Sequence, residues 1–286
     1  MGSIVTVSSS TPASASVKAA PNARLQAGFG NQALRWFRRG VSLALGVVLW
    51  QYVTSHGVRF IVNFDNLPTP LSVGQQFLIL LHTHSFYLDV AVSSRRVFES
   101  FVLAAILGVP LGVGMGRSPW IRDVAAPYIE VLRPIPAVAW IPMAILMWPT
   151  NEESIVFITF LGAFFPIVVN TVHGVQQTPD LLVRAARSLG ARRRAVIWHV
   201  VLPAALPAIL SGFAIGLGIC WFSVLTAEMI SGRHGIGYFT WKSYQLIQYP
   251  DIVVGMLCIG FLGTLSTAAV RVLSRPLLRW LPPEAR

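Results

Sequence analysis

Apolar residues fall in six runs along the chain, at 41–55, 90–115, 124–148, 154–175, 209–230 and 252–273, with polar or proline-rich stretches between them. A helix needs ~20 apolar residues to cross a bilayer, so these runs predict six membrane spans, the first of them short at about 15 residues. Span two carries Arg95, Arg96 and Glu99 in one half and Gly108, Pro110, Gly112 and Gly114 in the other. The charged half therefore faces protein or water, and the other half packs closely or kinks. Span three holds Pro127, Pro134, Pro136 and Pro142, more than a lipid-facing helix tolerates. Its irregular backbone must be covered by protein or line a cavity. Residues 57–89 read as a loop ending on the membrane surface, with a short helix over 72–82.

The longest interruption, residues 177–212, has a pattern of its own. Thr178 is placed to cap a helix, with Pro179 at its first position and Asp180 in its first turn. Leu181, Leu182, Ala185, Ala186 and Leu189 form one apolar stripe at helical spacing, Arg184 and Arg187 lie off it, and Gly190 ends the helix. Arg192, Arg193 and Arg194 open a second short helix whose Val196, Ile197, Val200 and Val201 share a face, until Leu202, Pro203 and Pro207 punctuate the chain. Such an elbow suits a groove on a partner protein. The competing reading is a basic interfacial helix on anionic membrane lipid, which needs neither the glycine nor the fixed Leu-Pro.

Composition agrees with the spans. Mean hydropathy is +0.64, 54% of residues are hydrophobic and 12% are charged, against about 25% charged in soluble domains. The chain is expected to be an all-α polytopic membrane protein. A net charge of +11 would suggest nucleic acid in a soluble protein, but its distribution follows the excess of Lys and Arg on cytoplasmic loops. With six spans and the N-terminus inside, the cytoplasmic segments hold five basic residues before span one, two at Arg117 and Arg122, five in the elbow and four from Arg271 onward. External segments hold Arg59, Arg233 and Lys242. Both termini and the elbow are thus expected in the cytoplasm, and no nucleic acid is needed to account for the charge. Cys220 and Cys258 both lie in apolar runs, so neither a disulfide framework nor a metal site is indicated. The expected division is a disordered cytoplasmic tail at 1–34, a first span and external loop at 35–89, a core at 90–275 containing the elbow at 177–203, and a cytoplasmic tail at 276–286.

Within the elbow, the pattern Ala185-Ala186, Leu189-Gly190-Ala191, Leu202-Pro203 and Pro207 resembles the "EAA" cytoplasmic loop of the permeases of bacterial ABC importers, in the form used by the nitrate, sulfonate and taurine group. The stretches LRPIPAVAWIPMAIL (132–146), FLGAFFPIVVNTVHGV (160–175) and AEMISGRHGIGYF (227–239) resemble the same group. The resemblance covers about 90–271. It implies a type I importer (MetI-like) bundle of about six helices in the bacterial inner membrane, with a second permease copy completing the pore. It also implies ABC ATPase subunits that bind ATP and Mg, and a periplasmic or lipid-anchored substrate-binding protein. Arg184, Ala185, Ala186, Leu189, Gly190, Ala191, Leu202 and Pro203 would then couple to the ATPase. Arg184 stands where the family motif usually has Glu, and Trp148-Pro149-Thr150-Asn151 replaces its usual Trp-Phe-Gly-Leu-Gly turn.

The chain itself carries no G-x-x-x-x-G-K-[ST] phosphate loop, so nucleotide would be bound by another polypeptide, and no catalytic or metal-binding set is legible. Glu228, costly inside a membrane, marks a translocation path or gate, or else sits at the outer interface or pairs with Arg233. Arg133 attracts an anion or pairs with Glu130. Asn170 and His173 share a helix face, for a helix contact or for substrate. Arg95, Arg96 and Glu99 are spaced to pair among themselves. A permease powered by a partner is the leading reading. The alternative is a proton-coupled secondary transporter using Glu228 or His173.

Overall fold

A computed structural model of the protein describes residues 21–56, 67–278 and 280, without the side chains of 21–33, 35 and 36. The chain divides into two units, 1–64 and 65–286. The first contains one helix, α1 (Pro21–Ser55). It begins within the stretch expected as a disordered tail, with Pro21 supplying the fixed φ of a first helical turn. Residues 1–20 of that tail, 57–66 of the external loop, Arg279 and 281–286 lie outside the described residues.

In the second unit every regular element among the described residues is helical: α2 (Pro70–Leu80), α3 (His84–Arg117), α4 (Pro119–Leu132), α5 (Ile141–Met147), α6 (Asn151–Gln176), α7 (Asp180–Ser188), α8 (Arg193–Val196), α9 (Leu202–Ser231), α10 (Ile236–Gln245) and α11 (Tyr249–Leu277). α2 is the helix expected over 72–82, and Thr69 caps it by accepting a hydrogen bond from the Ser72 N–H at 3.2 Å. Four helices are long and apolar enough to cross a membrane, α3, α6, the continuous Arg193–Ser231 and α11. The proline-rich third run makes a fifth if α4 and α5 count as one broken span, bent by 90°. Pro134 and Pro136 lack the N–H that would continue α4, and the chain turns through the 3-10 segment Ala137–Trp140 into α5. The first expected run, 41–55, is the apolar end of α1.

α6 is the centre of the unit, flanked by α3 on one side and α9 on the other. Small residues bring these axes together. A methyl group at Gly112 of α3 would lie 2.6 Å from Thr171, and one at Gly174 of α6 would lie 2.6 Å from the Ala208 methyl of α9. Neither position admits a side chain without moving a helix. Around these contacts Ala104, Ile155, Ile158, Ala163, Ile167 and Cys220 are fully enclosed.

The elbow departs from expectation at both ends. Pro179, not Thr178, occupies the cap of α7, and the Thr178 hydroxyl instead donates to the Gly174 carbonyl at 3.4 Å. Leu202 and Pro203 do not break the chain. α8 passes through the π turn Ile197–Val201 into α9, with the Leu202 N–H donating to the Ile197 carbonyl. The widened turn takes up the register in which Pro203 would otherwise clash with the preceding turn. A second departure is α10, which falls in what the sequence pattern marks as external loop.

Candidate functional site

The elbow is anchored by few side chains and leaves many uncovered. Val183 of α7 and Val196 of α8 are buried with Val175, Val201, Ala205 and Ile209, and Ala186, Ala191 and Leu202 pack against that cluster. The stripe that the sequence pattern predicts turns outward: Leu181 is 74% exposed and Leu189 89% exposed, with Leu182 and Ala185 also on the surface. Val183, off the predicted stripe, is the residue that holds α7 down. Gly190 does what the pattern asks of it. At φ 81° it occupies the left-handed region that favours glycine, its N–H donates to the Arg187 carbonyl at 2.9 Å, and the Ala191 N–H donates to the Ala186 carbonyl at 3.0 Å. This pair of bonds closes the helix and turns the chain into α8. Arg184, Arg187, Arg192, Arg193 and Arg194 are all exposed, and among the described residues none forms an ion pair. Pro203 is half-buried in the first turn of α9.

At the opposite ends of α6 and α9 the carboxylates are met by donors from within the chain. Glu228 is fully buried. Its carboxylate accepts from Arg96 at 2.8 Å, from the Ser93 hydroxyl at 2.8 Å and from the Gly237 N–H at 2.9 Å. The partner is therefore Arg96 of α3 and not the neighbouring Arg233. Arg96, with a side chain 4% exposed, also grips Glu152 of α6 through its Nε at 3.0 Å and through a second, shorter bond from its terminal nitrogen. Arg95 adds a bond of 2.7 Å to Glu152 and lies 3.4 Å from Glu99. The expected Arg95–Glu99 pairing forms, whereas Arg96 leaves its own helix to bridge two others. A guanidinium presents several donors in a fixed planar fork, which suits two carboxylates on different helices.

The same face of α3 holds the link between α9 and α10. Asp89, Ser93 and Arg96 lie at i, i+4 and i+7, one above the other. Asp89 accepts from the Gly235 N–H at 2.8 Å, Ser93 accepts from the Ile236 N–H at 2.9 Å, and Arg96 donates to the His234 carbonyl at 2.7 Å. Gly235 has φ 120°, and a methyl group there would clash with the Glu228 carboxylate. Two cavities flank this link, of about 480 and 390 Å³, and Arg233 and His234 line both.

A third cavity, about 200 Å³, lies between α3, α4 and α6 near the elbow, and is lined by Arg122, Glu130, Arg133, His173 and Gln176 over an apolar floor. Arg133 and His173 thus meet in one space. The expected Arg133–Glu130 pair does not form: no ion pair joins Arg133 to another described residue. Asn170 takes another course, donating within α6 to the Pro166 carbonyl at 2.8 Å and packing its side chain against Gly212 of α9.

A sequence profile of the family described as the inner membrane component of binding-protein-dependent transport systems matches residues 104–285. The chain belongs to this family. It is 31% identical over 255 residues to the taurine transport system permease protein TauC of Escherichia coli, covering 86% of this chain and 92% of that one. It is 32% identical over 237 residues to the nitrate import permease protein NrtB of Synechocystis sp., covering 80% and 84%. The fold is also that of a chain in the crystal structure of an amino acid ABC transporter with histidines, at 19% identity and a TM-score of 0.56, covering 72% of this chain and 98% of that one.

In this permease, sequence reasoning singled out Glu228 and the elbow but missed Glu152, Ser93 and the pivotal place of Arg96. An arginine inside an apolar run was the available signal. Its partners lie 56 and 132 residues away, beyond the reach of any local spacing.

Proposed function

We propose that this permease forms the path for a small anion or zwitterion in an ATP-driven importer, and that residues 177–203 couple it to a separate ATPase that binds ATP and Mg. The observation that carries the coupling is the outward-turned stripe of α7. Val183 and Ala186 fix the helix to the bundle while Leu181 and Leu189 remain 74% and 89% exposed. These leucines lie outside the candidate spans and share the elbow with exposed arginines that form no ion pair among the described residues. A helix held on one face and apolar on the other fits a groove on a partner and passes on that partner's rigid-body motion. Arg184, Ala185, Leu189 and Gly190 would line the contact, and Ala186, Ala191, Leu202 and Pro203 would set its angle. In this reading the elbow and both termini face the cytoplasm, a second copy completes the pore, and a periplasmic or lipid-anchored binding protein delivers solute at the other face.

Relatives named for taurine and nitrate support an anionic or zwitterionic solute. The cavity that joins Arg133 with His173 adds a basic lining to the path near the elbow. A proton carrier is less well supported, because every oxygen of Glu228 is engaged by Arg96, Ser93 or Gly237. Reconstitution tests the choice. Uptake into liposomes should require the ATPase, the binding protein and ATP, stop with vanadate and survive an uncoupler; uptake by the permease alone, abolished by uncoupler, would overturn the proposal. A thermal-shift screen of the binding protein against nitrate, taurine, alkanesulfonates, bicarbonate and cyanate identifies the solute.

A further inference from the structure

We infer that Arg96 is a positioning residue that carries displacement of the elbow to the far end of the permease, by tying the start of α6 to the end of α9. This rests on the reading of the elbow as the ATPase contact. The elbow is inserted between these two helices: α6 runs into it at Gln176 and α9 leaves it at Leu202. At their other ends, Glu152 is the second residue of α6 and Glu228 lies in the last turn of α9. One guanidinium on α3 holds both. The two helices and the elbow thus form a loop of structure closed at both ends.

Packing alone makes α6 and α9 neighbours, through Gly212 on Asn170 and Gly216 on Ala163, but apolar contacts are compatible with sliding. The ion pairs are not. A slip of one residue, ~1.5 Å along a helix, would pull Glu152 or Glu228 out of hydrogen-bond range of the Arg96 guanidinium, and at Glu228, which is fully buried, water cannot replace the lost partner. A push on the elbow is therefore delivered to the far end as motion of a joined pair. What moves there is also specified. The Gly232–Gly237 link hangs from the same cluster through Asp89, Ser93, Arg96 and Glu228, and its Arg233 and His234 form walls of two cavities. A buried ion pair serving stability alone would produce no such directional link.

Cysteine labelling of the permease–ATPase complex in liposomes separates these roles. Arg187→Cys reports on the elbow and His234→Cys on the far end, each in a background with Cys220 and Cys258 replaced by Ala, and Mg-ATP with vanadate is the probe. With Arg96 and Glu152 intact, nucleotide should change the maleimide labelling rate at both sites. In Glu152→Gln, at a position 42% exposed and therefore tolerant of change, the response at the elbow should persist while the response at His234→Cys falls to about a third or less. Arg96→Lys, which keeps the charge and loses the fork, should act in the same direction. An undiminished response at His234→Cys in Glu152→Gln, or none with Glu152 intact, overturns the inference. No response at Arg187→Cys with Glu152 intact overturns the ATPase contact itself.

Discussion

The two ends of α6 and α9 treat charge in opposite ways. Near Glu152 and Glu228 the carboxylates are used up inside the chain, by Arg96, Ser93 and backbone N–H groups. At the elbow, arginines and leucines stand exposed, and among the described residues no ion pair meets these arginines. A group satisfied internally contributes to the fold, and one left open is available to another molecule. The comparison therefore sets internal cohesion, including the tie between α6 and α9, at one end against a surface open to the proposed partner at the other.

Substitutions graded by their cost to the isolated permease test that assignment. Arg96→Ala strands two carboxylates, one of them wholly buried, and should cost ~3–5 kcal/mol, seen as a large drop in thermal unfolding temperature in detergent. Glu228→Gln keeps the shape and some of the hydrogen bonds but removes the charge, and a loss of ~1.5–3 kcal/mol in the same assay is expected; an unchanged midpoint would show that the pairing contributes little. Gly190→Val places a branched side chain at φ 81°, costing about 1–2 kcal/mol, and hydrogen exchange should place the loosening in the elbow and not in α3 or α6. Leu189→Asp should change the stability of the permease by no more than ~0.5 kcal/mol, yet weaken co-purification of the ATPase tenfold or more, about what losing one buried leucine contact implies. Equal retention of the ATPase by Leu189→Asp would return the elbow to a lipid surface.

These effects also separate what was legible in the sequence from what was not. Gly190 was legible because a glycine after a helical stripe has a local meaning, and the 3.6-residue period that marked Leu181 and Leu189 depends only on neighbours. The proline run of span three foretold the bend between α4 and α5 for the same reason. The direction in which the stripe of α7 faces was not legible, since Val183 and the leucines are equally apolar and only the Val175–Ile209 cluster decides between them. α10 escaped notice because its first turn is held by Glu228 and Ser93 of other helices, where the sequence offers glycines at 235 and 237 and no capping side chain. Leu202-Pro203 read as a break because proline usually is one, and the π turn that admits it leaves no mark in composition. The Arg96 bridge required knowing which helices touch.

That π turn gives the permease an angular setting. Arg193–Ser231 is one rod, and an α-helix advances ~100° per residue, so the extra residue held in the widened turn fixes the phase between the faces of α8 and the faces of α9; on the proposed function these are the surfaces that would meet the ATPase and the solute. Removing one residue at 197–201 would leave both surfaces intact and misalign them, like a crankshaft reassembled one tooth out.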